Sequence, residues 1–84
     1  MATASNSHSV TVFSTQSCPW CFRAKEYLKS HNIEFKDINV GADQKAAVAM
    51  ISKSGQMGVP QLWIDDEVVV GFDQRRINQL LGIK

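Results

Sequence analysis

At 84 residues the chain has room for one small domain built around a single hydrophobic core. An apolar fraction of 44% excludes a disordered chain, and a net charge of +1 with acids and bases interspersed argues against nucleic acid or an anionic membrane as a partner. The two cysteines fall in one short stretch, which is not the multi-bridge framework of a small secreted protein.

Residues 1–9 are small and polar, with no apolar leader core, and are expected to form a flexible tail ahead of one domain over residues 10–84. No apolar run reaches the length of a membrane span, and a cytoplasmic location is expected. The run from Val10 to Thr15 reads as a first strand, and Pro19 to His31 as a helix with Phe22, Ala24, Tyr27 and Leu28 facing inward. Alternation from Glu34 to Val40 predicts a second strand. Gly41-Ala42-Asp43 is a turn, with Asp43 placed to cap a helix from Lys45 to Ser54 that buries Ala47, Met50 and Ile51 and stops at Gly55. Gln61 to Ile64 and Glu67 to Val70, joined by Asp65-Asp66, predict a hairpin. A last helix runs from about Asp73 to Leu81, packs through Ile77, Leu80 and Leu81, and ends at Gly82. The order is therefore βαβαββα. A crossover helix makes the first two strands parallel, the hairpin adds antiparallel strands, and the result is an α/β fold: a four-stranded mixed sheet with helices on both faces.

Cys18-Pro19-Trp20-Cys21 lies where the first strand gives way to the first helix. A cysteine there meets unpaired backbone N–H groups and the positive end of the helix dipole, both of which favour a thiolate. Because nucleophilicity falls as thiol pKa falls, the larger effect of such a site is on redox poise. Cys21, in the first turn, is expected to be the more buried and to attack a mixed disulfide on Cys18. Pro19 suits the first helical position, where its missing N–H costs nothing. Trp20 offers an aromatic ledge beside the sulfurs. As a structural staple the pair is poorly placed, since closing so short a ring gains only about 2 kcal/mol against about 4.7 for a hundred-residue loop. As a zinc site it lacks ligands, with His8 and His31 the only histidines. A metal- or iron–sulfur-binding module, and a redox sensor without turnover, are the alternatives to a disulfide exchanger.

Val59-Pro60 opens the third strand, where a proline that cannot donate to a ladder belongs. On residue type alone it would be trans, since only about 5–6% of X–Pro bonds in folded proteins are cis. Taken together, Cys18-Pro19-Trp20-Cys21 after a first strand, Val59-Pro60 before a hairpin, and Val70-Gly71-Phe72-Asp73 before the last helix resemble the glutaredoxin branch of the thioredoxin fold. The resemblance runs from about Val10 to Leu81. It implies a thioredoxin-like fold, Cys18 as nucleophile, Cys21 as resolving thiol and a cis Pro60 packed against them. It also implies a groove for substrate or glutathione formed by Pro19, Trp20, Gly58, Val59, Pro60, Gly71, Phe72 and Asp73. The implied activity is reduction of protein disulfides or glutathione mixed disulfides by a monomer. Electrons would come from glutathione as co-substrate or from thioredoxin reductase, with no bound cofactor or metal. Three positions depart from the family pattern: Thr15 replaces a lysine, Gly58 a threonine, and Gly71-Phe72-Asp73 keeps one glycine and one aspartate of a Gly-Gly-x-Asp-Asp segment.

Overall fold

Apolar residues at alternate positions make the first strand, β1 (Val10–Ser14), a two-sided interior strand: Val10 and Val12 face one way and Phe13 the other, all buried. The computed structural model describes residues 8–83; residues 1–7 of the expected tail, and Lys84, lie outside them. After β1 come α1 (Pro19–Ser30), β2 (Lys36–Asn39), α2 (Gln44–Ser54), β3 (Gln61–Ile64), β4 (Glu67–Val70) and α3 (Gln74–Leu81). The sheet order is β2-β1-β3-β4. β1 pairs in parallel with β2, Val12 opposite Asp37, and antiparallel with β3, Val12 opposite Leu62. The β3–β4 hairpin sets Leu62 against Val69. This is the predicted element order and the predicted mixed sheet.

Strand parity divides the core into two layers. Val10, Val12, Leu62, Ile64 and Val69 share one face and pack with Ala24 and Leu28 of α1 and Ile77 of α3. The opposite face carries Phe13 against Trp63, ring centroids 4.5 Å apart, and is covered by α2, whose Met50 is fully buried and whose Lys53 lies 4.9 Å from the Trp63 ring. Helices therefore cover both faces. A polar link ties the first layer together: Asp37 of β2 accepts from Ser14 Oγ at 2.9 Å and pairs with Lys25 of α1 at 3.0 Å.

Helix ends follow local chemistry. Asp43 accepts from the Ala46 N–H at 3.0 Å, and Asp73 accepts from the Arg76 N–H at 3.2 Å. α1 closes with Asn32 in the left-handed region (φ 58°), where the Ile33 N–H bonds Leu28 O and the Asn32 N–H bonds Lys29 O. His31 is thus the cap of α1, one residue beyond its last turn.

Two expectations about the core are corrected. Phe22 is 62% exposed, because α1 meets the sheet along Cys21, Ala24 and Leu28 and Phe22 stands about 100° off that stripe. The inward face of α2 is also narrower than expected: Ile51 is exposed and Ala47 half-buried, which leaves Met50 as its buried residue.

Leu28, fully buried between helix and sheet and also the acceptor of the α1 terminus, is the most informative probe of this core. Leu28→Ala should lower unfolding free energy by about 2–5 kcal/mol. Urea denaturation should show it as a fall in midpoint at unchanged slope.

Candidate active site

β1 ends at Ser14, and a short loop delivers Cys18 to the start of α1 as its N-cap, with extended backbone (φ −103°, ψ 106°) and Pro19 at the first helical position. The Cys21 N–H donates to Cys18 Sγ at 3.1 Å, so the sulfur itself satisfies one of the orphan donors of the helix start. The Cys18 thiol is half-buried and points to the Val59 carbonyl, Sγ to oxygen 3.7 Å. Both cysteines are free thiols.

One turn in, Cys21 is only 1% exposed. Burial, reinforced by its hydrogen bond with Cys18, pushes this thiol up to about 11, and a Thr15 backbone hydrogen bond and the charge of Lys25 only partly oppose the rise. The two sulfurs therefore differ sharply. Cys18 is reachable, whereas Cys21 is enclosed and protonated at neutral pH.

The facing wall of the site comes from the segment before β3. The Val59–Pro60 bond is cis, as the resemblance implies, and Pro60 O accepts from the Gly71 N–H at 2.7 Å, tying this segment to the end of β4. Gln61, completely buried, braces the same segment from behind: its Nε2 donates to Gln56 O at 3.0 Å and Gly58 O at 2.9 Å. Trp20, Val59, Pro60, Gly71 and Phe72 line a groove of about 290 Å³. Phe72 is seated by edge contact with Tyr27, centroids 5.6 Å apart, and the Tyr27 hydroxyl donates to Asn78 of α3. Trp20, 57% exposed, forms the opposite lip, 6.4 Å from the Phe72 ring.

Of the residues expected at the site, Trp20, Val59, Pro60, Gly71 and Phe72 meet in this groove, and Cys18 adjoins it through Val59. Pro19 lines a different groove, together with Cys18 itself and Gln16, Ser17, Phe22 and Arg23; its volume is about 670 Å³. Gly58 stands outside both. Its carbonyl is held by Gln61, and a Cβ there would meet nothing within 4 Å, so the family threonine would fit. Asp73 is exposed, and one of its oxygens caps α3. Lys53 lies against Trp63 on the α2 side of the sheet and lines neither groove.

Sequence reasoning missed three contributors. Gln61 carried a signal, a polar residue opening a strand whose next residues are apolar. Tyr27 has the chemistry of a core residue, and a tyrosine that packs also needs a partner for its hydroxyl, here Asn78. Phe22 has core chemistry too, but helical phase turns it out to the groove that Cys18 lines. Among the described residues no three His, Cys, Asp or Glu side chains come together as a metal site would need.

Comparison with known proteins agrees with this geometry. The glutaredoxin family model matches residues 10–69, a span that holds both cysteines, the cis-proline segment and all but the last residue of the hairpin. A glutaredoxin-like 8.6 kDa protein from the rubredoxin operon of Clostridium pasteurianum is 47% identical over 72 residues, covering 86% of this chain and 96% of its own. The crystal structure of a mutant of the thioredoxin-like protein BC3987 superposes with a TM-score of 0.86 at 32% identity, over 90% of this chain and 97% of that one. NrdH-redoxin of Escherichia coli, described as a glutaredoxin-like protein with a thioredoxin-like activity profile, superposes with a TM-score of 0.78 at 25% identity, over 86% and 93% of the two chains. With the dithiol at a helix start, the cis-proline wall opposite it and the family match spanning both, the chain belongs to the glutaredoxin family.

Proposed function

We propose that this glutaredoxin-family protein is a dithiol oxidoreductase that reduces protein disulfides or glutathione mixed disulfides, with Cys18 as nucleophile and Cys21 as resolving thiol. The observation that carries the reading is the inequality of the two sulfurs: one capping a helix and reachable, the other 1% exposed directly behind it. The Cys18 thiolate attacks one sulfur of the substrate disulfide; that S–S bond breaks, and the departing sulfur leaves as a thiolate that takes up a proton. Cys21 then loses its proton and attacks Cys18 Sγ, releasing the second substrate thiol and leaving a Cys18–Cys21 disulfide. Two electrons have passed to the substrate. Two glutathione molecules, or an NADPH-dependent flavoprotein such as thioredoxin reductase, restore the dithiol.

The groove of Trp20, Val59, Pro60, Gly71 and Phe72 holds the substrate beside Cys18, and the Cys21 N–H stays on the sulfur that must carry charge. Asp73 keeps an oxygen beyond its cap for a ligand ammonium group. Two thiols supply only half of a zinc coordination shell, which supports exchange over metal binding. No helix among the described residues is long and apolar enough to cross a membrane, and a reducing compartment such as the cytoplasm is where such a dithiol stays reduced. The protein works as a monomer on this reading.

Cys18→Ser should abolish turnover on every disulfide substrate. Cys21→Ser should complete the first attack and accumulate a mixed disulfide, seen by intact mass as one adduct per chain. Full turnover by Cys18→Ser would refute the assignment. Regeneration separates the electron sources: the oxidised protein is offered glutathione with its reductase, or thioredoxin reductase with NADPH, and free thiols are counted. Recovery with neither would reject the oxidoreductase.

The raised Cys21 pKa has a thermodynamic consequence with a definite sign. The folded thiol holds its proton up to about 11, against 9.0 for an ordinary thiol, so its stabilising contribution is complete below pH 9 and lost as pH rises through 11. The loss falls on the reduced protein, whose Cys21 carries the proton. Urea titrations across that window should show it, and the drop should be absent in Cys21→Ala.

A further inference from the structure

Cys18 itself lines the larger of the two grooves, whose other residues the mechanism above does not use. Its lining of Gln16, Ser17, Cys18, Pro19, Phe22 and Arg23 contains no acidic side chain. Phe22 leaves most of its surface to solvent, being 62% exposed, and lines the groove together with Cys18. Arg23, like Lys36, Lys45, Lys53 and Arg75, makes no ion pair among the described residues, and of these it alone lines the groove. Its guanidinium lies 5.2 Å from the Trp20 ring centroid, which holds the unpaired charge next to the site.

An exposed aromatic ring and an uncompensated cation, set together in the groove that Cys18 itself lines, form a surface with a definite complement. We infer that this second groove is a subsite for the polypeptide of a protein-disulfide substrate, with Phe22 taking an apolar contact and Arg23 the carboxylate of an acidic side chain near the substrate cysteine. The inference rests on the oxidoreductase reading and adds to it a preference. A polypeptide continues past its cysteine on both sides and reaches both grooves of about 290 and 670 Å³, whereas a small thiol adduct settled in the first leaves the second empty. Arg23, rather than the overall charge of +1, supplies the attraction, so the preference is local and weakens as salt rises.

The test uses the whole protein and three substrates: two short peptides joined by disulfide to the same chromogenic thiol, differing only in aspartate or lysine on each side of the cysteine, and glutathione joined to that thiol. The expected ratio of kcat/KM for the aspartate peptide over the lysine peptide is about three- to ten-fold, the range of an exposed ion pair together with removal of a like-charge contact. Arg23→Glu should invert the ratio. Any general change in Cys18 reactivity scales both peptides alike and cancels. Phe22→Ser should raise KM for both peptides by a larger factor than for the glutathione disulfide. Turnover of all three substrates with the same peptide ratio before and after Arg23→Glu would overturn the subsite and leave the oxidoreductase reading standing. Turnover of none by the unaltered protein would overturn both.

Discussion

The hydrogen bond from the Cys21 N–H to Cys18 Sγ, 3.1 Å long, binds a structural need to a chemical one. Every helix start leaves N–H groups without partners, and the usual remedy is a hydroxyl or carboxylate cap. Here the cap is a sulfur, so the atom that completes α1 is also the atom placed for reaction. That choice fixes the remainder of the site: with Cys18 as cap, helical phase puts Cys21 on the inward stripe with Ala24 and Leu28. It equally turns Phe22 outward, away from the sheet.

The same helix therefore separates two otherwise identical thiols by environment. Burial holds the Cys21 proton tightly, while Cys18 lies at a junction between grooves. The wall opposite is held by main-chain and side-chain bonds rather than by contact with the cysteines alone. Gln61 grips it from the interior and Gly71 from the hairpin end. Gln61 Oε1 has no partner among the described residues, so the amide spends its donors on this segment and holds its acceptor in reserve.

The architecture was legible because its signals are local and repeated. The apolar run of β1, the alternation in β2, the Asp43 cap and the Asp65-Asp66 turn each predict an element, and each element forms within a residue or two of the expected bounds. The cysteine pair was legible as a site through its place at a strand–helix junction. Less legible were properties that depend on which face a helix turns to the sheet. Phe22 and Ile51 have core chemistry but the wrong phase, and phase is set by long-range packing of Leu28 and Met50. Gln61 has surface chemistry but a buried place, because the segment before β3 offers carbonyl groups that only the folded chain brings within reach. The cis state of Pro60 came from resemblance to a family, since residue type favours the other isomer.

Far from the sulfurs, Asp65 sits in the β3–β4 turn with φ 54°, a conformation that aspartate tolerates. Its carboxylate accepts from the Ser9 N–H at 2.9 Å and meets His8 Nδ1 at 2.8 Å, while its own N–H donates to Ser9 O at 2.7 Å. These contacts pin the chain just before β1 and so index that strand against β3. A slip of one residue would displace the strand by about 3.3 Å and exchange its faces. The spacing between Cys18 Sγ and the Val59 carbonyl is 3.7 Å, comparable to that single step. The alignment of the catalytic end is thus calibrated from the opposite rim of the sheet, as a caliper is zeroed away from its jaws.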